Sequence, residues 1–274
     1  MFLPKMWGWG GRRALDVAGW LAMAAVVLPA IARAQERDPH AAQPERPTVA
    51  THAYSVATGW LEVEFGAERD AQDGQYVGTV APVAIKLGLA SHLQLTVFTG
   101  VSQAAGTSTL DANDFGVSVK WRVADAVPGL GAIAVQPGLV VSTPPMGVSR
   151  QTGANVIVIA SQSLGPVALD LNAGVTRWSG DGTDVPRTES MWAISTGGPF
   201  GGPIGWVVEV FGFPRTTGPA GADSTAALLI GPTFTVRPSL VFDAGLIAPF
   251  SGPQPRALYV GGVWNAGRVW RTRP

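Results

Sequence analysis

The sequence predicts an all-β chain: an antiparallel transmembrane β-barrel of about 12 strands, with short periplasmic turns and longer extracellular loops. Three observations carry the prediction. An export signal opens the chain; segments of alternating apolar and polar residues run from Trp60 to about Asn265; and the connections between them are alternately short and long. In Trp60-Leu-Glu-Val-Glu-Phe-Gly-Ala-Glu68, Leu61, Val63, Phe65 and Ala67 share one face, and Glu62, Glu64 and Glu68 the other. A strand that meets lipid on one side and a polar lumen on the other reads this way.

The signal comes first. Lys5, Arg12 and Arg13 supply positive charge, Trp20 to Ile31 is a short apolar run, and Ala32-Arg33-Ala34 is a small-x-small cleavage site. This is the pattern of a secretory signal over residues 1–34, with a mature chain expected to begin at Gln35. The apolar run is too short for a spanning helix, which needs about 20 such residues; an uncleaved anchor is the lesser alternative. The chain has no cysteine, so neither a lipid-attachment thiol nor a disulfide framework supports it. Its 19 basic and 19 acidic residues balance, and loss of the signal leaves the remainder mildly acidic. That argues against a nucleic-acid partner, whose binding needs a dense basic patch. The expected location is the bacterial outer membrane, with its lipid as the first partner.

Residues 35–58 are polar at first and proline-bearing (Pro39, Pro44, Pro47), with no period. Composition favours a flexible periplasmic spacer; a plug folded back into the barrel is the alternative. The barrel itself is assigned to 59–274, with strands expected near 59–68, 76–90, 93–101, 114–123, 131–141, 155–163, 167–176, 189–197, 204–212, 225–236, 239–247 and 257–265. Tight connections are expected at 91–92, 124–130, 165–166, 198–203 and 237–238, where Gly or Pro interrupts a strand in most cases. Longer ones are expected at 69–75, 102–113, 142–154, 177–188, 214–224 and 248–256. Short turns on one side and long loops on the other are the asymmetry of outer-membrane barrels, and an even strand count leaves both termini in the periplasm.

The lipid face is legible in most strands. Val83, Ile85, Leu87 and Leu89 share a parity, as do Phe115, Val117, Val119 and Trp121, and Leu240, Phe242, Ala244 and Leu246. Charges take the opposite parity, as they should when Arg or Lys at mid-membrane on the lipid face costs about 2–4 kcal/mol. Asn155-Val-Ile-Val-Ile-Ala160 is apolar on both parities and its faces are not assignable from sequence. Of ten tryptophans, Trp121, Trp206 and Trp264 fall on or near strand ends, as an interfacial girdle would have them; packing as plain apolar bulk is the alternative.

No enzyme is expected. His40, His52 and His92 stand in no metal-ligand spacing, and His52 and His92 are expected at the periplasmic rim. No catalytic residue, metal or cofactor is implied. The glycines of Gly197-Gly-Pro-Phe-Gly-Gly-Pro203 form a turn rather than a phosphate cradle, because the prolines remove amide donors and no Lys-Ser/Thr follows. The candidate functional set is the inward polar row Glu62, Glu64, Lys86, Gln94, Lys120, Arg122, Asp170, Asn172, Glu209 and Asp243. It reads equally as the lining of a pore for a small-molecule solute, or as an ion-pair and hydrogen-bond network that fills a narrow barrel.

Several segments together resemble a known family. They are Gly59-Trp-Leu-Glu-Val-Glu-Phe-Gly66, Leu87-Gly-Leu-Ala-Ser-His-Leu-Gln-Leu95, Asp114-Phe-Gly-Val-Ser-Val-Lys-Trp-Arg122, Leu169-Asp-Leu-Asn-Ala-Gly174, Val207-Val-Glu-Val-Phe-Gly212 and Leu240-Val-Phe-Asp-Ala-Gly245. The resemblance is to the bacterial outer-membrane proteins grouped as the phenol-degradation MetA-pathway family, often described as transporters. It implies a barrel that passes small, often aromatic or hydrophobic compounds. Glu62, Asp170 or Asn172, Glu209 and Asp243 match the family's recurring inward polar positions. The chain departs from the pattern at its end, where Arg271-Thr-Arg-Pro274 follows the last aromatic residue.

Overall fold

In the computed structural model the described residues are 38, 40–143 and 150–270. The signal over 1–34 and the terminal residues 271–274 lie outside them. The described chain has no helix long and apolar enough to cross a membrane. It crosses with strands: β1 (Trp60–Gln72), β2 (Gln75–Ala90), β3 (Leu93–Ala104), a two-residue β4 (Asp111–Ala112), β5 (Phe115–Val127), β6 (Gly131–Val141), β7 (Thr152–Leu164), β8 (Val167–Trp178), β9 (Thr188–Gly201), β10 (Ile204–Phe213), β11 (Thr225–Arg237), β12 (Leu240–Ser251) and β13 (Arg256–Arg268). Setting aside β4, which pairs on the flank of β3, each long strand pairs antiparallel with its neighbours in sequence. β1 closes on β13, with Glu64 opposite Val263 and Glu68 opposite Tyr259. The result is a closed 12-stranded barrel without an open edge.

The strand positions agree with the expected ones, but two of the expected long connections shrink. β1 and β2 continue to a two-residue turn, Asp73-Gly74, rather than a loop over 69–75. Both residues have positive φ (51° and 79°), the geometry of the Asp-Gly hairpin turn that matches strand twist. Likewise the connection expected over 248–256 contracts to 252–255.

The outer surface is apolar. Ile85, Phe115, Trp121, Val158, Ile194, Phe242, Leu246 and Val260 are all exposed there, as a lipid-facing wall requires. Trp121 and Trp264 stand opposite Leu93 and Leu240, the first residues of β3 and β12 after their periplasmic turns, and Trp206 is near the start of β10, the level at which an aromatic belt anchors a barrel. The strand that resisted assignment now has faces: Val158 is exposed, whereas Ile159 is completely buried against Ala53, Ala132 and Ala134, with Ile157 and Tyr54 packed alongside. A second interior cluster joins Ala193, Val207, Phe211, Ala227, Leu229, Ile247, Ala257 and Tyr259 to Ala50, with Val49 and Met191 against it. Both clusters include residues of the segment before β1. That segment lies inside the barrel, and its apolar residues explain why parts of β7 and β9–β13 are apolar on both faces.

Candidate functional site: the lumen and the segment within it

The segment 41–58 has no regular secondary structure, so once inside the barrel its backbone N–H groups need partners from elsewhere. Near the periplasmic end, Ala42 N–H donates to the Pro238 carbonyl (2.7 Å), and Asn265 Nδ2 donates to the Ala41 carbonyl (3.3 Å). The chain then travels round the wall. Gln43 and Glu45 N–H donate to Glu62 Oε2 (2.6 Å) and Glu64 Oε1 (2.7 Å) on β1. Val49 and Ala50 N–H donate to the two carboxylate oxygens of Glu209 on β10 (2.8 and 2.6 Å). Thr51 N–H donates to Asn172 Oδ1 on β8 (3.0 Å), and Asn172 Nδ2 donates back to the Thr51 carbonyl (2.8 Å). Ala53 N–H donates to Ser161 Oγ on β7 (2.8 Å), and Val56 N–H to Gln94 Oε1 on β3 (2.9 Å). Thr58 bridges to Gly88 on β2 before β1 begins. From Arg46 to Thr58 the segment therefore circles the lumen once, meeting β12, β10, β8, β7, β3 and β2 in turn.

Charge is matched along the same path. Lys86 is fully buried, and its ammonium lies 2.6 Å from Glu62 Oε1, 2.8 Å from Glu64 Oε1 and 2.7 Å from the Gln43 carbonyl. It donates to Glu64 and the Gln43 carbonyl and forms an ion pair with Glu62. Lys120, equally buried, pairs with Glu45 and donates to Thr51 Oγ1 and the His52 carbonyl, both at 2.9 Å. Arg46 extends to β12, with Nε 3.1 Å from Asp243 Oδ2. Adjacent residues of opposite charge, Glu45 and Arg46, thereby fasten the segment to β5 and β12.

Of the ten candidates read from sequence, seven hydrogen-bond the backbone of the segment directly: Glu62, Glu64, Lys86, Gln94, Lys120, Asn172 and Glu209. Asp243 does so through Arg46. Asp170 takes the Ser161 hydroxyl, the group that itself accepts from Ala53. Arg122 sits towards the periplasmic mouth, where it donates to the Ser91 carbonyl, pairs with Asp125 at 2.7 Å and lies over the Tyr54 ring. Sequence reasoning did not single out Glu45, Arg46, Thr51 or Ser161. Three of those four lie in the segment whose composition favoured a spacer, and composition does not register partners. The available signal was indirect: strands apolar on both parities imply an apolar occupant of the lumen.

His52 lies in the lumen segment, not at the rim where sequence placed it, and its ring is 6.0 Å from that of Tyr54. His40 packs edge-on to Trp60, and its Nδ1 is 3.0 Å from Asp38. No group of three or more His, Cys, Asp or Glu side chains able to hold a metal occurs among the described residues. Above the segment, on the extracellular side, the loops 179–187 and 214–224 interlock: Arg187 N–H donates to the Thr217 carbonyl (2.7 Å) and Ala220 N–H to the Gly182 carbonyl (2.7 Å). In the first of them, Thr183 donates its hydroxyl and its N–H to Asp181, which holds that exposed carboxyl below the usual range.

A closed antiparallel barrel with an apolar girth and a polar, segment-filled interior is an outer-membrane β-barrel. The chain is similar in structure to an outer membrane channel of Pseudomonas putida F1, with a TM-score of 0.56 and 11% identity over 77% of this chain and 97% of that one. It is also similar to the NanC porin, with a TM-score of 0.50 and 10% identity over 75% and 98% of the two chains. No protein-family model and no curated protein sequence matches it.

Proposed function

We propose that the protein is an outer-membrane channel or facilitator for small solutes, and that residues 41–58 form a plug that constricts it. The observation that carries this reading is the ring of bonds between the wall and the segment. Buried wall groups such as Glu209, Gln94 and Asn172 direct their acceptors at the backbone of a separable segment instead of at one another. A barrel meant only to be filled would need no such occupant, since wall side chains suffice in narrow barrels. With the segment displaced, Glu62, Glu64, Lys86, Gln94 and Lys120 become a polar lining along β1–β5, opposite the mainly apolar inner wall of β9–β13, in which Glu209 and Asp243 are set. Such a two-sided lumen suits amphiphilic or aromatic solutes, in keeping with the resemblance to the phenol-degradation MetA-pathway family.

The test is single-channel recording in a planar bilayer, using the mature chain and a variant lacking 35–58. Small or intermittent steps for the mature chain, and larger steady steps for the shortened one, are expected. Silence from both, with each shown to be a folded barrel by heat-modifiable mobility, would instead favour a structural or surface-interaction barrel with a closed lumen.

A further inference from the structure

The extracellular half of the lumen holds a cavity of about 300 Å³ between β7, β8, β9 and β10, reached by Thr216 of the interlocked loops. Strand register arranges its lining in two tiers. Ile157, Gly174 and Met191 stand opposite one another across three strands, and one step outward Asn155, Thr176 and Glu189 do the same. Phe213 closes the lower tier from β10. The floor is thus apolar and continuous with the two interior clusters, through Ile157 and Met191. The rim is polar and carries one carboxylate. Gly174 creates the space, because a Cβ there would come to 3.1 Å from Ile157 Cγ1 and 3.2 Å from Met191 Cγ.

Glu189 is the chemically decisive group. One of its oxygens accepts from the Trp178 indole N–H at 2.9 Å, a neutral donor, which leaves its other oxygen for a ligand. The neighbouring arginines direct donors away from it: Arg177 to Thr188 Oγ1 and the Arg187 carbonyl, and Arg187 to the Asp181 carbonyl. A carboxylate above an aromatic and thioether floor complements an ammonium group on a small apolar body. The charge meets Glu189, the rings and methylenes meet Phe213, Met191 and Ile157, and the aromatic face adds cation–π attraction. The volume lies at the small end of ligand sites, fit for a single ring.

We propose that this cavity is a binding site for small organic ammonium ions with one ring or a short alkyl body. It rests on the channel reading only in making such ions solutes taken up from outside; the binding itself does not require conduction. Calorimetric titration of the full mature chain, folded in detergent, with benzylammonium and with benzyl alcohol tests it. Benzylammonium should bind about tenfold or more tightly than the alcohol, as an added charge-assisted hydrogen bond implies. Glu189→Gln should erase that preference. Gly174→Val, which keeps the charge but fills the floor, should weaken both ligands. Equal affinity of the two ligands for the wild-type protein, or no binding below about 10 mM, overturns the proposal even if neither variant folds. Bilayer recordings on the same preparation separate the two readings: conduction without binding removes the site alone, and binding without conduction by the shortened chain removes the channel alone.

Discussion

Arg46 holds Asp243 at two points, Nε to Oδ2 at 3.1 Å and Nη2 to Oδ1 at 3.2 Å, across 197 positions of sequence. The pair joins a segment with no regular structure to the interior of β12, and the Asp243 side chain is only 2% exposed. Because the lumen is secluded from bulk water, removing one partner leaves the other charge poorly solvated. Asp243→Ala is expected to loosen the segment by about 3 kcal/mol, the lower end of the range for broken buried pairs. Hydrogen exchange at residues 43–50 should rise accordingly, and unchanged exchange there would refute the anchoring role.

Glu209 presents a different chemistry, since its carboxylate satisfies two consecutive backbone donors, Val49 and Ala50. Glu209→Ala leaves both N–H groups without an acceptor against an apolar wall, at a cost of about 1–3 kcal/mol for each orphaned donor. Glu209→Gln keeps one carbonyl acceptor and should fall between wild type and Ala. The amides of Val49 and Ala50 should exchange faster in that order, with Val56, held by Gln94, as the internal reference. Equal acceleration at all three amides would mean that the segment opens as a unit rather than at Glu209.

Lys86 tests the wall itself. Its ammonium lies between Glu62 and Glu64, so Lys86→Met leaves two neighbouring buried carboxylates without their cation. A loss of about 3–5 kcal/mol is expected, read as a lower temperature for conversion of the compact barrel on heated electrophoresis. Combining Lys86→Met with Glu62→Gln and Glu64→Gln removes the uncompensated charge and should restore much of the loss. If the triple variant is no more stable than Lys86→Met alone, the ion cluster is not the cause.

The barrel was legible in the sequence because its constraints are local. Alternation at Leu61–Ala67 and at Val83–Leu89 follows from one wall facing lipid, and Gly or Pro marks most tight turns. The Asp73-Gly74 turn was equally local, but the polar run from Glu68 to Gln75 gave no alternation to carry the strands through. What composition could not show was the occupant of the lumen. Gln43, Glu45, Val49 and Ala50 find acceptors on β1 and β10, and nothing in a proline-bearing, aperiodic stretch reveals partners that distant. The inward polar residues were therefore read as a row along the wall and not as partners for the backbone of the segment. The apolar inner wall around Phe211, Leu229 and Tyr259 was not foreseen, because parity alone assigns polarity to the lumen.

Arg46 also sets a steric condition on the wall beneath it. A Cβ at Gly261 would stand 2.4 Å from Arg46 Nε, and one at Gly66 2.5 Å from Arg46 Nη2. These two residues are opposed across the β1–β13 seam, so the guanidinium lies against a patch of wall kept bare by both. Gly261→Val supplies a residue that suits a strand while taking the space Arg46 occupies. The barrel should still close, with normal heat-modifiable mobility, but Arg46 should leave Asp243 and the segment should lose one of its two charged anchors. Conductance steps should then become larger or longer-lived than those of the wild-type chain, approaching those of the chain without 35–58. Steps identical to wild type, together with unchanged exchange at 43–50, would show that the segment stays in place without the Arg46–Asp243 pair.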